Sequence, residues 1–210
     1  MTHTHTIHIM GSAGVRLGRL KANTSALFVC DIQEKFRGLI HGMPAVVDTA
    51  SRLVRSAEVM EIPVFVTEQY PKALGNTVAE LALPPKALVF EKTKFSMCTS
   101  DVDKAFRKMN LDGIGQVLLC GIETHVCVLQ TVLDLVEKHN VEVHVCVDGV
   151  SSQREIDRSV ALRRLQGLPN VFLCTSEMAM FQLAGDSKHP KFKQISALAK
   201  EKRPDQLSAL

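Results

Sequence analysis

Cys127 is the residue best placed in this sequence to act as a nucleophile. The stretch Cys120-Gly-Ile-Glu-Thr-His-Val-Cys127 leads from an apolar run through a glycine turn into a helical pattern, so Cys127 falls in the first turn of a helix. The free N–H groups and the positive dipole end at that position favour a thiolate and can hold a developing oxyanion. The alternative is a core cysteine on an apolar helix, since Val126 and Val128 flank it.

Asp31 and Lys92 could supply the proton transfer and the positive charge that a cysteine nucleophile needs. Asp31 ends an otherwise apolar run, where a carboxylate is unfavourable unless it has a partner or a task. It could accept the proton of a thiol as a general base, or it could cap the following helix. Lys92 has polar neighbours, which suits a solvated lysine, but an ammonium close to Cys127 would lower the pKa of the thiol.

The elements that must position these residues alternate along the chain. Short continuous apolar runs, typical of strands buried on both faces, are separated by segments with helical spacing. This order predicts an α/β fold: a three-layer αβα sandwich with a six-stranded, mostly parallel, Rossmann-like sheet. The strands are predicted at residues 26–30, 62–67, 87–90, 116–120, 141–147 and 170–174, and the helices at 45–61, 101–110, 124–140, 155–166, 176–184 and 192–200.

Ligands of such sheets bind beyond the carboxyl ends of the strands. Asp31, Lys92 and Cys127 each follow a different predicted strand, so we expect them to meet at one edge of the sheet. The segment from Tyr70 to Pro85 is predicted as a loop with at most a helical turn, and it is a candidate cover for a substrate.

Length and composition indicate one globular domain. The 210 residues are 46% hydrophobic and 22% charged, and we assign the domain to residues 25–200, with tails at 1–24 and 201–210. The first 30 residues contain no Asp or Glu, which suits either a flexible tail or a short mitochondrial presequence.

Charge, hydropathy and cysteine placement narrow the partners and the compartment. A net charge of +3 is too small to indicate a nucleic-acid surface, and no apolar run is long enough to cross a bilayer. The six cysteines lie mostly in or beside strand-like runs, which predicts free thiols in a reducing compartment. We therefore expect a cytoplasmic protein, with a mitochondrial location as the alternative.

Three sequence blocks together resemble the isochorismatase-like cysteine hydrolases. The block Leu27-Phe-Val-Cys-Asp-Ile-Gln-Glu-Lys-Phe36 resembles the family's first-strand motif, with its catalytic Asp followed by a Gln. The block Phe90-Glu-Lys-Thr-Lys-Phe-Ser96 resembles the one that carries a catalytic Lys with a Ser four positions later, and Gly121-Ile-Glu-Thr-His-Val-Cys-Val128 resembles the one with the nucleophile. The segments Thr67–Pro71 and Gly185–Lys193 are similar to those of eukaryotic isochorismatase-domain proteins.

The resemblance implies a set of roles for residues of this chain. Asp31, Lys92 and Cys127 would be the catalytic set, acting on a small amide-like substrate through a covalent thiol intermediate. A cis peptide bond between Ile122 and Glu123 would direct the N–H groups of Glu123 and Cys127 towards the oxyanion. The candidate substrate-pocket residues are Phe36, Gln69, Tyr70, Phe95 and Thr124.

No cofactor and no metal are expected. Nicotinamidases of this family bind a divalent metal through an Asp and two His after the second strand, whereas that loop here, Glu68-Gln-Tyr-Pro-Lys-Ala-Leu-Gly75, has no His. This difference also argues against nicotinamide as the substrate. Hydrolysis of a vinyl ether, as in true isochorismatases, stays open as an alternative.

Two interpretations of other classes also stay open. The fold could serve as a non-catalytic scaffold with a vestigial site. Alternatively, Cys127 could be a redox-sensing thiol that is resolved by Cys30, Cys98 or Cys120. In either case the resemblance implies a homo-oligomer, a dimer or larger, and a small molecule is the expected ligand of a hydrolase.

Overall fold

The structure is a computed structural model that describes residues 16–110, 114–204 and residue 207. Its centre is a six-stranded sheet in the order β3-β2-β1-β4-β5-β6, in which every neighbouring pair is parallel. The predicted α/β sandwich is confirmed, and the sheet is entirely rather than mostly parallel. The strands are β1 (Ser25–Cys30), β2 (Val64–Gln69), β3 (Leu88–Lys92), β4 (Gln116–Ile122), β5 (Glu142–Ser151) and β6 (Val171–Cys174).

The helices cover both faces of the sheet. The predicted segment 124–140 is one helical stretch in which a π-helical turn (Thr124–Val128) and a second one (Leu135–His139) flank a short α-helix. The α-helices are α1 (Met43–Met60), α2 (Pro71–Leu74), α3 (Ser100–Asn110), α4 (Leu129–Asp134), α5 (Glu155–Gln166), α6 (Ser176–Ala184) and α7 (Phe192–Lys200), with 3-10 turns at Ala22–Thr24, Glu34–Phe36 and Ala79–Leu81.

Alternation along the strands divides the core into two clusters, one on each face of the sheet. In β1, Leu27 and Val29 pack with α1, α6 and α7, whereas Phe28 and Cys30 pack with α3, α5 and the 124–139 helical stretch. Both faces of β1 are buried along its whole length, which explains its continuous apolar sequence. Cys127 belongs to the same cluster as Cys30.

Several strands extend further than predicted, and the extensions carry polar residues. β2 continues to Gln69 and β3 to Lys92, and these two residues are partners in the parallel register. Periodicity alone ended the two strands at Thr67 and Phe90. Polar residues are accommodated there because, as described below, hydrogen bonds across the carboxyl edge satisfy their side chains.

The segments assigned to tails are partly packed on the domain. Leu20 is buried in the core, and the Lys21 N–H donates to the side chain of Gln116. The domain boundary at residue 25 stays a prediction. At the other end, Glu201 pairs with Arg55 at 2.6 Å. The expected flexible or targeting segment over residues 1–15 lies outside the described residues. Over the described ranges, no helix combines the length and the apolar character that a membrane span requires.

Candidate active site

The carboxylate of Asp31 and the ammonium of Lys92 form a buried ion pair at the carboxyl edge of the sheet. Lys92 Nζ lies 2.6 Å from Asp31 Oδ2, and both side chains are almost fully excluded from solvent. In the parallel register Cys30 lies beside Thr67 on one side and Gly121 on the other. Asp31 therefore leaves the sheet at the central pair of strands, where the strands on either side can deliver partners to it.

Asp31 is held by backbone and side-chain contacts as well as by Lys92. Its Oδ1 accepts a hydrogen bond of 2.7 Å from the Thr67 hydroxyl, and its N–H donates to the Thr67 carbonyl oxygen. Its φ of 52° lies in the left-handed region, which few residues other than glycine adopt and which is often found at functional sites. The carboxylate is thus fixed in position before any substrate binds.

Four oxygen atoms surround the ammonium of Lys92. Besides Asp31, it donates to the side-chain oxygen of Gln69 at 2.6 Å and to the carbonyl oxygens of Lys94 and Phe95 at 3.1 and 2.9 Å. An ammonium has three protons, so these acceptors already occupy its full donor capacity. Lys92 is consequently a fixed charge of the interior rather than a mobile surface group.

The sulfur of Cys127 completes this group. It lies 3.8 Å from Lys92 Nζ and within 4.8 Å of a carboxylate oxygen of Asp31. The sulfur atoms of Cys30 and Cys127 and a carboxylate oxygen of Asp31 all lie within 4.8 Å of one another. Three residues from distant parts of the sequence are therefore in contact around one sulfur atom.

The backbone around Cys127 is unusual on both sides. The Ile122–Glu123 peptide bond is cis, and Gly121 has a φ of 121°. A Cβ atom at Gly121 would lie 2.1 Å from the carbonyl oxygen of Cys30, so no other residue fits there. Cys127 then lies in the π-helical turn, and the hydroxyl of Thr131 donates to its carbonyl oxygen at 2.6 Å. Such π-helical turns are frequent at functional sites.

Burial and charge act on these groups in opposite senses. Burial raises the pKa of Asp31, and the Lys92 ammonium beside it opposes that rise only in part. Burial would lower the pKa of Lys92, but the ionisable groups of Cys30, Asp31 and Cys127 around it outweigh burial, so that its pKa is raised. Burial also raises the pKa of the Cys30 thiol. The site thus combines a permanent cation with a carboxylate that takes up a proton more readily than an exposed one.

Comparison with known proteins assigns the chain to a family. A sequence model of the isochorismatase domain matches residues 25–178. The chain belongs to the isochorismatase family. It is 46% identical to a Phytophthora sojae protein named as a secreted isochorismatase effector, over 91% of this chain and 92% of that protein.

Solved structures agree with this assignment. A Caenorhabditis elegans protein named as MAR1 ribonuclease is 44% identical and superimposes with a TM-score of 0.82, covering 91% of this chain and all of that one. The Escherichia coli YcaC gene product, described as an octameric hydrolase of unknown specificity, has 21% identity and a TM-score of 0.74 over 86% of this chain and 90% of that one. The latter likeness concerns the fold alone.

The structure distributes the candidate pocket residues of this isochorismatase-family chain unevenly around the site. Gln69 contacts Lys92 directly, and the Phe95 carbonyl accepts from it while the Phe95 ring is about half exposed. Tyr70 is also about half exposed, and its N–H donates to the Lys92 carbonyl oxygen. Phe95 and Tyr70 thus lie next to the buried ion pair on the solvent side.

The other candidate pocket residues lie further from the solvent side of the site. Phe36 packs against the α1 cluster, on the sheet face opposite to that of Cys127. Thr124 is fully buried, and its hydroxyl has no partner among the described residues. The Glu123 carboxylate turns away from the ion pair and accepts from the Gln153 N–H at 2.8 Å.

Three residues support the site although the sequence did not identify them as parts of it. Thr67 and Gln33 orient Asp31 and Gln69: the Gln33 side chain accepts from the Gln69 N–H and donates to the Gln69 carbonyl oxygen. Cys30 contributes the second sulfur atom, although the sequence raised it only as one of several possible resolving thiols. The sequence feature that could have identified Thr67 is its position as a polar residue at the end of an apolar strand.

Two groups of described residues have spacings compatible with a metal ion: Cys30, Asp31 and Cys127, and separately Cys98, Asp103 and His139. In the first group, Lys92 already binds the carboxylate that a metal would need. In the second, His139 Nε2 lies 3.2 Å from Asp103. The expectation of a metal-free protein stays a prediction.

Two surface cavities differ in their relation to the site. One of about 790 Å³ lies at the amino end of the sheet, between residues 17–22 and α6, away from the reactive groups. A smaller one of about 320 Å³ adjoins Lys92 and is lined by Tyr70, Pro71, Lys72, Glu91 and Thr93. Only the smaller of these two cavities adjoins the ion pair, so it is the candidate route by which a substrate approaches the site.

Proposed function

We propose that this chain is a cysteine-dependent hydrolase that cleaves the C–N bond of a small amide-like substrate, with Cys127 as the nucleophile. The observation that carries the proposal is the buried Asp31–Lys92 pair with the Cys127 sulfur in contact with both of its members. A buried ion pair is a weak source of stability, so its presence at the edge where ligands bind favours a chemical role.

Asp31 and Lys92 divide the activation of the sulfur between them. Asp31 accepts the thiol proton of Cys127, and its raised pKa suits a group that must take up a proton and release it again. Lys92 keeps its charge and stabilises the thiolate from 3.8 Å. The thiolate then attacks the carbonyl carbon of the substrate.

The oxyanion and the leaving group need further groups. The N–H groups of Glu123 and Cys127 are the proposed donors to the oxyanion, and one such donor is worth about 3 to 4 kcal/mol of transition-state stabilisation. The leaving amine takes its proton from Asp31. Water, deprotonated by the same carboxylate, then attacks the thioester carbon and releases the acid and the free thiol.

A screen of small amides and carbamates against the wild type and three variants tests this mechanism. We expect Cys127→Ala to lose turnover entirely, and Asp31→Asn to lose about 10³-fold in kcat/KM because no base remains for the thiol proton. Lys92→Ala should lose about 10²-fold or more, since the thiolate is no longer stabilised. Circular dichroism must show that each variant is folded.

Cys98→Ala is the matched control for the thiol. Cys98 is also buried on the same face of the sheet, but its sulfur is grouped with Asp103 and His139 instead of with Lys92. We expect its turnover to match that of the wild type. Normal turnover in Cys127→Ala would refute the covalent mechanism and leave the vinyl-ether or scaffold interpretation.

The pH dependence of the reaction gives a test that needs no variant. Because Asp31 must be ionised to accept the thiol proton, kcat/KM should fall as the pH drops through its pKa, which lies above the ordinary 3.8 of an aspartate. The position of the acid limb is measured with a neutral substrate. An acid limb at or below pH 3.8 would contradict the role of Asp31.

We also propose that the chain assembles with copies of itself, as the octameric Escherichia coli neighbour does. Light scattering coupled to size-exclusion chromatography measures this directly, and a monomer at micromolar concentration would contradict it. The compartment in which the protein acts stays a prediction, cytoplasmic or mitochondrial.

A further inference from the structure

Cys30 is a buried thiol that the proposed hydrolysis does not use, although it lies next to the nucleophile. It is the last residue of β1, directly before Asp31, and it is completely excluded from solvent. Its sulfur atom lies within 4.8 Å of that of Cys127. We propose that Cys30 and Cys127 form a reversible disulfide when a hydroperoxide oxidises Cys127, which makes this pair an oxidative modification site. The inference rests on the proposed function, because it needs Cys127 to be a reactive thiolate.

The two thiols differ in a way that fixes their order of reaction. Cys127 is 8% exposed, and its sulfur lies 3.8 Å from the ammonium of Lys92. Cys30 has no exposed surface, and burial keeps its thiol protonated. Cys127 is therefore the thiol that meets the oxidant, and Cys30 is the thiol that reacts second.

The chemistry balances with a hydroperoxide as the only co-reactant. The Cys127 thiolate attacks one peroxide oxygen, the O–O bond breaks and the sulfur becomes a sulfenic acid. The departing hydroxide takes the proton that Asp31 received from Cys127 and leaves as water. Cys30 then gives its proton to Asp31, and its sulfur attacks the Cys127 sulfur. The S–O bond breaks, and the departing hydroxide takes that proton and leaves as water. In total, two thiols and one hydrogen peroxide give one disulfide and two waters.

The geometry requires a small movement and no rearrangement of the fold. A disulfide needs its sulfur atoms about 2 Å apart, so the two side chains must approach by a few ångströms within the same core cluster. The closed pair would remove the nucleophile from Lys92 and Asp31, so the oxidised protein would be inactive until a reductant restores it.

A second sulfur pair in this chain serves as an internal control. Cys146 and Cys174 are register partners on the neighbouring strands β5 and β6. They lie on the other face of the sheet, and no lysine appears among the groups that act on Cys146. This pair therefore resembles Cys30 and Cys127 in that the two cysteines are neighbours, but Cys146 has, among the described residues, no activating lysine of the kind proposed for Cys127.

The experiment treats the folded wild-type protein with hydrogen peroxide and maps its peptides without reduction. We expect a Cys30–Cys127 cross-link, a mass lower by two hydrogen atoms, and return of both mass and turnover with dithiothreitol. Cys146 and Cys174 should remain free thiols. A Cys127 that goes to sulfinic acid while Cys30 stays free would overturn the inference, as would a Cys146–Cys174 link formed at the same rate.

Two variants separate the steps. In Cys30→Ser, and likewise in Cys30→Ala if the first is poorly folded, peroxide should drive Cys127 to the sulfinic acid, and dithiothreitol should no longer restore turnover relative to the untreated variant. Cys174→Ser should still form the Cys30–Cys127 link. If Cys127 reacts with peroxide and iodoacetamide but never links to Cys30, only this inference fails. If Cys127 reacts with neither, the proposed nucleophile fails as well.

Discussion

Two ion pairs whose carboxylates lie three residues apart in the sequence have the same shortest N–O distance and opposite surroundings. Asp31 and Lys92 are separated by 2.6 Å, and so are Glu34 and Arg37. The side chains of the first pair are 2% and 0% exposed, whereas those of the second pair are 47% and 40% exposed. Distance therefore does not distinguish them, and the difference in solvent access decides what each pair contributes.

Water screens the exposed pair and takes over its hydrogen bonds when one partner is lost. The buried pair has no such substitute, because removal of one charge leaves the other in a low-dielectric interior. The same isolation strengthens every interaction of Lys92 with the sulfur of Cys127. Exclusion of water therefore makes the loss of one charge destabilising, and it also strengthens the electrostatic interactions on which the proposed mechanism depends.

The largest effect on stability should come from breaking the buried pair on one side. Lys92→Met leaves the Asp31 carboxylate without its cation, and we expect the free energy of unfolding to fall by about 3 kcal/mol. Urea denaturation at neutral pH measures it. The double variant Asp31→Asn/Lys92→Met removes both charges and should regain most of this loss. Equal stability of the single and double variants would show that the ion pair is not the cause.

Protonation of a buried histidine should lower the free energy of unfolding by a comparable amount, but only at acidic pH. His144 is buried against the ring of Phe172, its Nε2 has no partner among the described residues, and burial lowers its pKa from 6.5 to about 4. Between these two values the unfolded chain binds a proton that the folded chain does not. The stabilisation is therefore present above pH 6.5 and is lost as the pH falls towards 4, by about 3 kcal/mol in total.

Urea denaturation of His144→Phe at pH 7 and pH 4.5 isolates this effect. The variant keeps an aromatic ring against Phe172 but cannot be protonated, so its free energy of unfolding should change less between the two pH values than that of the wild type. His41→Phe is the control, because it replaces an exposed histidine with the same residue. The same pH dependence in the wild type and in His144→Phe would rule His144 out.

The smallest effect is expected for the exposed pair. Arg37→Met removes the ion pairs with both Glu34 and Glu80, and we expect no resolvable change in the midpoint of thermal unfolding, because water solvates all three groups. Differential scanning calorimetry at low and high salt checks this. A destabilisation equal to that of Lys92→Met would overturn the comparison between the two pairs.

The sequence predicted the architecture well because the spacing of apolar residues along the chain indicates which residues are buried. All six strands and the helices that separate them were recognisable, since each strand is short, apolar and bounded by a polar or glycine-containing turn. The ends of β2 and β3 were misplaced, because Gln69 and Lys92 are polar and a period of hydrophobicity cannot show that they hydrogen-bond to each other.

The meeting of Asp31, Lys92 and Cys127 was predicted from strand order and from the resemblance together. What the sequence did not supply was the set of contacts around them. Thr67 and Cys30 are ordinary residues of buried strands. Only the register across β1, β2 and β4 shows that Thr67 contacts the carboxylate of Asp31 and that Cys30 lies beside the sulfur of Cys127. Such contacts depend on side-chain placement in three dimensions, which no spacing along the chain encodes.

The order of the strands has a consequence for when the protein acquires its reactivity. β3, β2 and β1 form one half of the sheet and come from the first part of the chain, whereas β4, β5 and β6 form the other half. Asp31 and Lys92 belong to the earlier half and Cys127 to the later one, so they meet only when β1 pairs with β4. A chain still being synthesised therefore presents the Cys127 thiol without either of its proposed partners, and the proposed reactivity requires the completed sheet.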